Sequence, residues 1–436
     1  MKSLARSLRP RGAAPTIFTA LTLGAAVVLV VPAAANAASV VSQGNGQLVS
    51  VVTPAVGTTD PTLAGASAVN ASGNGAVTAN TPLSAAAVTA LTNIQANGTN
   101  LFGAGGTIQL SGMAQAAQAN NDGSSTAFSG VSASAPSGWN VTPGPSVGSP
   151  KSSSDVEVTL GSSSAAVGID AGFGGVAATA TEPAGGNPSG TYNLASGSIV
   201  VSGTDFASAV APITADVNSG LTTFNNFVSA ISPSQELTYP YGNNTITVTL
   251  PELLSAANVS SVAALPAGTN LLQYLPAAIE TQVTNTVQGL LAQMVTTANA
   301  DNQWWASLLV NAINSNQPAV QSALATFNTT LSGTFATDLA SLGQVKVGIQ
   351  STSASGSLTE TAMQVNVGAS GKSAQVNLAS ATVGPNAGIS AAPIISEGSA
   401  GVVVLGAAAL VAMLIAGAAL LVRRRRSTRS TSEGVL

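Results

Sequence analysis

Apolar residues recur along the chain with two periods, and the change of period divides its middle into three parts. From 38 to 202 the period is two. Val156, Val158 and Leu160 alternate with Asp155, Glu157 and Thr159. That spacing predicts a half-buried strand with its acids turned outward. Thr191 to Ser202 predicts another strand. Residues 106–119 and 124–133 flank Asn120-Asn121-Asp122-Gly123. An Asp-Gly pair between two alternating runs predicts a β-hairpin. A loop rich in proline, glycine and serine, 135–154, separates the hairpin from the strand at Asp155.

From 203 to 342 the spacing changes to three and four. Phe206, Val210, Ile213, Val217, Leu221, Phe224, Val228 and Ile231 form one seam. Ile279, Val283, Val287, Leu290 and Met294 form a second, and Val320, Leu324, Phe327, Leu331, Phe335 and Leu339 a third. Such stripes predict amphipathic helices that pair in a small bundle or cover a sheet. Thr204 is placed to cap the first helix, and Pro212 to kink it. A short strand, 245–250, interrupts the helical region. From 343 to 385 the period returns to two: Val345, Val347 and Ile349, then Met363, Val365 and Val367, then Val376 and Leu378. The expected fold class is α+β: a β-rich domain of antiparallel strands and hairpins, 38–202 and 343–385, with a mainly helical insertion at 203–342.

The two ends carry a different pattern. Lys2, Arg6, Arg9 and Arg11 precede an apolar stretch from Ile17 to Val31, then Pro32 and Ala35-Asn36-Ala37. Basic start, apolar core and small-residue cleavage site predict a signal peptide, 1–37. Residues 400–422 hold no charge and are followed at once by Arg423 to Arg426. As a helix this run measures about 34 Å, enough to span a bilayer. The positive-inside rule puts the tail, 423–436, in the cytoplasm and the main domain outside. A linker, 386–399, joins domain and span. No LPxTG-type motif precedes Ala400, so a retained membrane anchor is expected.

Composition narrows the chemistry. The 436 residues include no cysteine and no histidine, and 6% are charged. Disulfides, zinc fingers and Ser-His-Asp or Cys-His catalysis are excluded. The formal net charge of −4 conceals an asymmetry. Nine of the twelve basic residues lie at the two ends, so residues 38–399 carry fifteen acids against three lysines, a net of −12, and no arginine. Such a domain lacks the basic footprint that nucleic acid requires. The expected partners are the membrane, through the single C-terminal span, and wall polymers or other surface proteins.

No catalytic, cofactor-binding or metal-ligating residue is assigned from the sequence, and no cofactor. Asp155 and Glu157 could act together as glycosidase-type carboxylates, but a solvated strand face explains them as well. Asp170, flanked by glycines, could line a pocket or end a strand. Asn120 to Gly123 lacks the closing glutamate of a calcium loop and reads better as a turn. Trp304 and Trp305 point about 100° apart on a helix, so one of the two is expected to anchor inward. The three lysines permit a Lys–Asn isopeptide crosslink, which no local sequence marks. Six Asn-x-Ser/Thr sites, at Asn70, Asn97, Asn140, Asn243, Asn258 and Asn328, arise readily by chance in this composition.

Residues 112–130, Gly-Met-Ala-Gln-Ala-Ala-Gln-Ala-Asn-Asn-Asp-Gly-Ser-Ser-Thr-Ala-Phe-Ser-Gly, and 376–386, Val-Asn-Leu-Ala-Ser-Ala-Thr-Val-Gly-Pro-Asn, are more distinctive. Together with Ser42-Gln43-Gly44, they make the chain resemble the choice-of-anchor G family of actinobacterial surface proteins. The resemblance covers about 42–386. It implies an exported domain joined to one of several kinds of anchor, and it brings no catalytic residue. The expected function is that of an exported, membrane-anchored protein of the cell envelope or surface, structural, adhesive or interacting, without catalysis. The alternative is a carboxylate-based hydrolase of a wall or extracellular polymer.

Overall fold

The computed structural model describes residues 40–52, 65–71, 75–96, 98–151, 154–229, 236–241, 244–300, 306–368 and 374–387. The expected signal peptide, the span at 400–422, the basic tail and the pair Trp304–Trp305 lie outside the described residues. Among the described residues no helix is long and apolar enough to cross a membrane. The chain divides after Ile389 into two compact units, and every described residue belongs to the first.

The N-terminal part supplies β1 (Val40–Val52), β2 (Ala66–Ala71), β3 (Val77–Asn80), α1 (Ala85–Thr92), β4 (Gln95–Ala96), β5 (Thr99–Asn100) and β6 (Ile108–Leu110). It continues with β7 (Ala114–Ala119), β8 (Ser125–Gly130), β9 (Val156–Gly161), β10 (Gly168–Gly174), β11 (Ala177–Glu182), β12 (Ser189–Asn193) and β13 (Ser196–Ser202). The helical part holds α2 (Thr204–Val228), β14 (Ile246–Thr249), α3 (Leu250–Ala256), β15 (Thr269–Asn270), α4 (Leu275–Ala300) and α5 (Ala306–Thr330). A π-helical turn, Leu331–Phe335, carries α5 into α6 (Ala336–Leu342). The last strands are β16 (Gly343–Thr352), β17 (Leu358–Val367) and β18 (Ala374–Val383).

Three large antiparallel sheets result. The first has the order β15-β16-β17-β18-β1-β2, the second β12-β11-β8-β7-β3, and the third β14-β13-β10-β9-β6. The α+β expectation holds. The helical part is not a detachable insertion, because its strands β14 and β15 join the third and first sheets. The predicted strand 191–202 is two strands. The chain leaves the second sheet after Asn193 and enters the third at Ser196. The predicted first arm of the hairpin also divides: β7 pairs with β8, whereas β6 pairs with β9 in another sheet.

The hairpin turn follows the predicted chemistry. Gly123 has φ +87°, the left-handed region that glycine enters without steric cost. Asp122 Oδ1 accepts from the Ser124 N–H at 2.8 Å and from its hydroxyl at 2.6 Å. The helices follow the three seams. Phe206, Val210, Ile213, Val217, Leu221, Phe224 and Val228 are all buried, and α2 and α4 both pack on α5. Thr204 does not cap α2 as expected. Gly203 holds the cap position, and the Thr204 hydroxyl donates to the Ala165 carbonyl instead. At α3 a Glu252 Oε2 reaches back to the Thr249 N–H at 2.6 Å, the reciprocal half of a capping box.

Strands β1, β7, β8, β11 and β18 bring the first two sheets face to face. The interface is lined by small residues. Ala117, Ala127, Ala180 and Gly190 form a row across the second sheet. Gly46, Ala381, Glu360 and Gln350 form the row opposite it. The approach is closest at Gly46, where a Cβ would lie 2.1 Å from the Phe128 carbonyl oxygen and 2.7 Å from that of Ala116. Sheets separated by large side chains stack about 10 Å apart. Here glycine and alanine let the two backbones meet. On the far face of the second sheet, Phe128, Ala114 and Ala177 are covered by Ala135, Trp139 and Val141 of the proline-rich loop.

The first and last strands of the domain are neighbours. β1 lies between β18 and β2, with Val49 opposite Leu378. Beyond the ladder, the Gly384 N–H donates to the Gln43 carbonyl, and the Ala387 N–H to that of Val41. Asn386 fastens this end. Its side chain accepts from the Gln43 N–H at 3.0 Å and donates to the Ser125 hydroxyl at 2.9 Å.

Candidate functional site

Two of the acids singled out by sequence, Glu157 and Asp170, converge around Lys151. Asp170 on β10 and Glu157 on β9 come from adjacent strands. Lys151 Nζ makes an ion pair with Asp170 Oδ2 and lies 3.7 Å from Glu157 Oε1. The Lys151 backbone N–H donates to Glu157 Oε2 at 2.9 Å. Asp170 first, through its hydrogen bond, holds the ammonium above the ordinary lysine range. One expectation is corrected here: Glu157 is not turned to solvent. The end of the proline-rich loop folds over it, and its side chain is 8% exposed. A period of two places a side chain on one face of a strand. It does not say whether a loop covers that face.

Asp155 is committed as well. Its Oδ2 accepts the Gly175 N–H at 2.7 Å, and its Oδ1 the Ser111 hydroxyl at 3.0 Å. The group thereby joins the start of β9 to the β10–β11 turn and to the end of β6. These carboxylates tie loops to the third sheet. Asp155→Ala is expected to cost roughly 2 kcal/mol, because it strands a partly buried N–H. Lys151→Met is expected to cost less than about 1 kcal/mol, because the ammonium is half-exposed. Urea midpoints of the two variants measure the difference.

Asn120 to Gly123 is a turn whose ligand oxygens are already in use. Asp122 takes the two bonds from Ser124, and those bonds hold its carboxyl below the ordinary range. The Asn120 carbonyl accepts the Ser42 hydroxyl at 2.6 Å. Among the described residues no group of three or more acidic side chains is placed to hold a metal ion. Asn70 is fully buried, with its amide on the Ala119 and Gly75 carbonyls. That leaves no room for a glycan.

Two acidic features were not legible in the sequence. Asp205 in the first turn of α2 lies against Asp338 in α6. Asp338 is the main cause that raises the Asp205 carboxyl above its ordinary range. The pair unites positions far apart in the chain, and no local motif marks it. Glu360 is the other. It lies fully buried between the first and second sheets, and a period of two in β17 does not show that the face holding it is covered.

The surface of the bundle is polar and almost uncharged. No ionisable side chain occurs in α5. Hydroxyls along α5 and the following turn bond back to their own helix, as Ser315 does to Asn311, Thr326 to Ser322 and Thr329 to Ala325. Phe227 and Leu308, at 43% and 57%, are the exposed large apolar side chains among the described residues.

No protein-family model, curated protein or solved structure matches the chain.

Proposed function

We propose that this is an exported cell-envelope protein, held in the plasma membrane by its C-terminal apolar segment, which acts by structure or contact and performs no catalysis. The observation that carries this reading is the use made of its acids. Asp155, Glu157 and Asp170, the candidates for carboxylate chemistry, are spent in hydrogen bonds and an ion pair that pin loops to the third sheet. A polar, uncharged helical surface and a domain net charge of −12 suit contact with neutral polar polymers or other surface proteins, and oppose contact with polyanions. The resemblance to choice-of-anchor G proteins supports the same reading. The anchor would follow closely: from Ala387, bonded to β1, the twelve residues 388–399 reach at most about 43 Å.

Cells expressing the full-length chain test this. The protein should sediment with membranes. Protease added to protoplasts should remove the domain and leave an epitope on the tail protected. Recovery of the chain from the soluble cytoplasmic fraction with residues 1–37 still attached would sink the proposal.

One observation favours the alternative of a carboxylate-based hydrolase: the Asp205–Asp338 pair, in which Asp338 raises the Asp205 carboxyl above its ordinary range. Turnover of a wall glycan that disappears in both Asp205→Asn and Asp338→Asn would establish it.

A further inference from the structure

Glu360 occupies the middle of the layer between the first two sheets. Its side chain is fully buried, and neither carboxylate oxygen has a hydrogen-bond partner among the described residues. The wall opposite is the backbone of Gly190 on β12, where a Cβ would come within 2.5 Å of Glu360 Oε2. Tyr192 on the same strand lies over Gly348, and its hydroxyl donates to the Val262 carbonyl at 2.7 Å. On β16 the Gln350 amide donates to the Gly190 carbonyl at 3.4 Å, and the β18 neighbour is Ala381.

Among the described residues no cation reaches this place. Lys346 on β16 is four residues from Gln350, roughly 13 Å along the strand. Lys151 is bound to Asp170 and Glu157. The charged residue that β11 adds to the same layer is another acid. Glu182 has one oxygen buried without a partner, and the other accepts the Asn386 N–H at 3.4 Å. An ionised carboxylate at Glu360 would meet no counter-charge and no donor but the nearby Gln350 amide, which also bonds the Gly190 carbonyl, and such burial is costly unless the group is neutral.

We propose that this layer is a pH-sensitive device: the two sheets close over Glu360 as the neutral acid, and its ionisation loosens the first sheet from the second. Burial pushes the carboxyl up to about 7, with the Gln350 amide opposing weakly. Burial also raises Glu182, against the Asn386 N–H. Tyr192 is raised by burial and then by the Glu360 charge. The folded state therefore holds the Glu360 proton more tightly than the unfolded chain. The stabilisation is complete below about pH 4.5 and is lost as pH rises through about 7. An exported domain with this device is firmest in an acidified envelope and slackens above neutrality.

Urea unfolding of the full-length protein between pH 5 and pH 8 tests the proposal. The unfolding equilibrium constant of the native protein is expected to rise over that range by roughly 70-fold more than that of Glu360→Gln. Glu182→Gln should keep most of the native slope. Equal slopes in native protein and Glu360→Gln would overturn the assignment. Hydrogen exchange of the native protein, corrected for intrinsic rates, gives a readout independent of any variant. Amides of β12 and β17 should lose protection between pH 6 and pH 8 ahead of those in β9 and β10. Uniform protection across that range would overturn it equally.

Discussion

Gly46→Ala is expected to destabilise the domain by about 4 kcal/mol or more, a large share of the roughly 5–15 kcal/mol that keeps an ordinary domain folded. A methyl group at this position would enter the Phe128 carbonyl from 2.1 Å and touch the Ala116 backbone as well. Neither neighbour is a flexible side chain that can turn aside. Relief requires the first sheet to lift off the second, which opens the whole row from Ala117 to Gly190. The same substitution elsewhere gives the opposite sign. Gly289 is an exposed interior residue of α4 whose added Cβ meets nothing within 4 Å. Gly289→Ala should stabilise by roughly 0.5–1 kcal/mol by restricting the unfolded chain. Urea midpoints of the two variants on either side of the native value would confirm that backbone contact, and not glycine content, sets the cost.

The second large effect is expected on removing β1. A chain lacking residues 38–52 should fail to fold cooperatively. It leaves β18 without a partner on one side and β2 with none at all. It also uncovers Leu378, Val376 and Ala381, which are fully or almost fully buried in the intact sheet. Gln115 would lose the bond that its Oε1 accepts from the Leu48 N–H at 2.9 Å. Loss of two ladders, and of the packing of β1 on β7 and β8, exceeds the stability of most domains. Addition of a synthetic 38–53 peptide should restore a cooperative thermal transition, with a midpoint that rises with peptide concentration. A truncated chain that melts cooperatively near the native temperature would contradict the central place given to β1.

Much of the local structure was legible in sequence, because it depends on neighbours in the chain. The Asp122–Gly123 turn needs only residues 120–124. The seam from Phe206 to Val228 needs only the helical period. Sheet membership was less legible. Ile108 and Leu110 read as one arm with Ala114 to Ala119, yet the break at 111–113 sends them to different sheets. Leu194 and Ala195 divide another apparent strand in the same way. The period of two identifies a strand and its faces but is silent on its neighbours. The candidate acids show the same division. Glu157 was correctly put on a strand, whereas Asp155 sits in the bend just before β9. The loop that buries Glu157, and the meeting of Asp205 with Asp338, depend on contacts between segments remote in sequence.

The pairing of the first strand with the last also sets a schedule. Gln43 and Asn386 are 343 positions apart. A ribosome adding about 5–20 residues per second needs roughly 20–70 s to make that length. During all of it β1 exists without β18, and the closest-packed face of the sandwich stays open. A hairpin such as β7–β8 forms within microseconds of its synthesis, but the central ladder cannot close before the domain's final residues appear. The chain therefore remains without its central ladder for as long as it is being made. For a protein read as crossing a membrane, that delay keeps the polypeptide threadable until its last strand is complete.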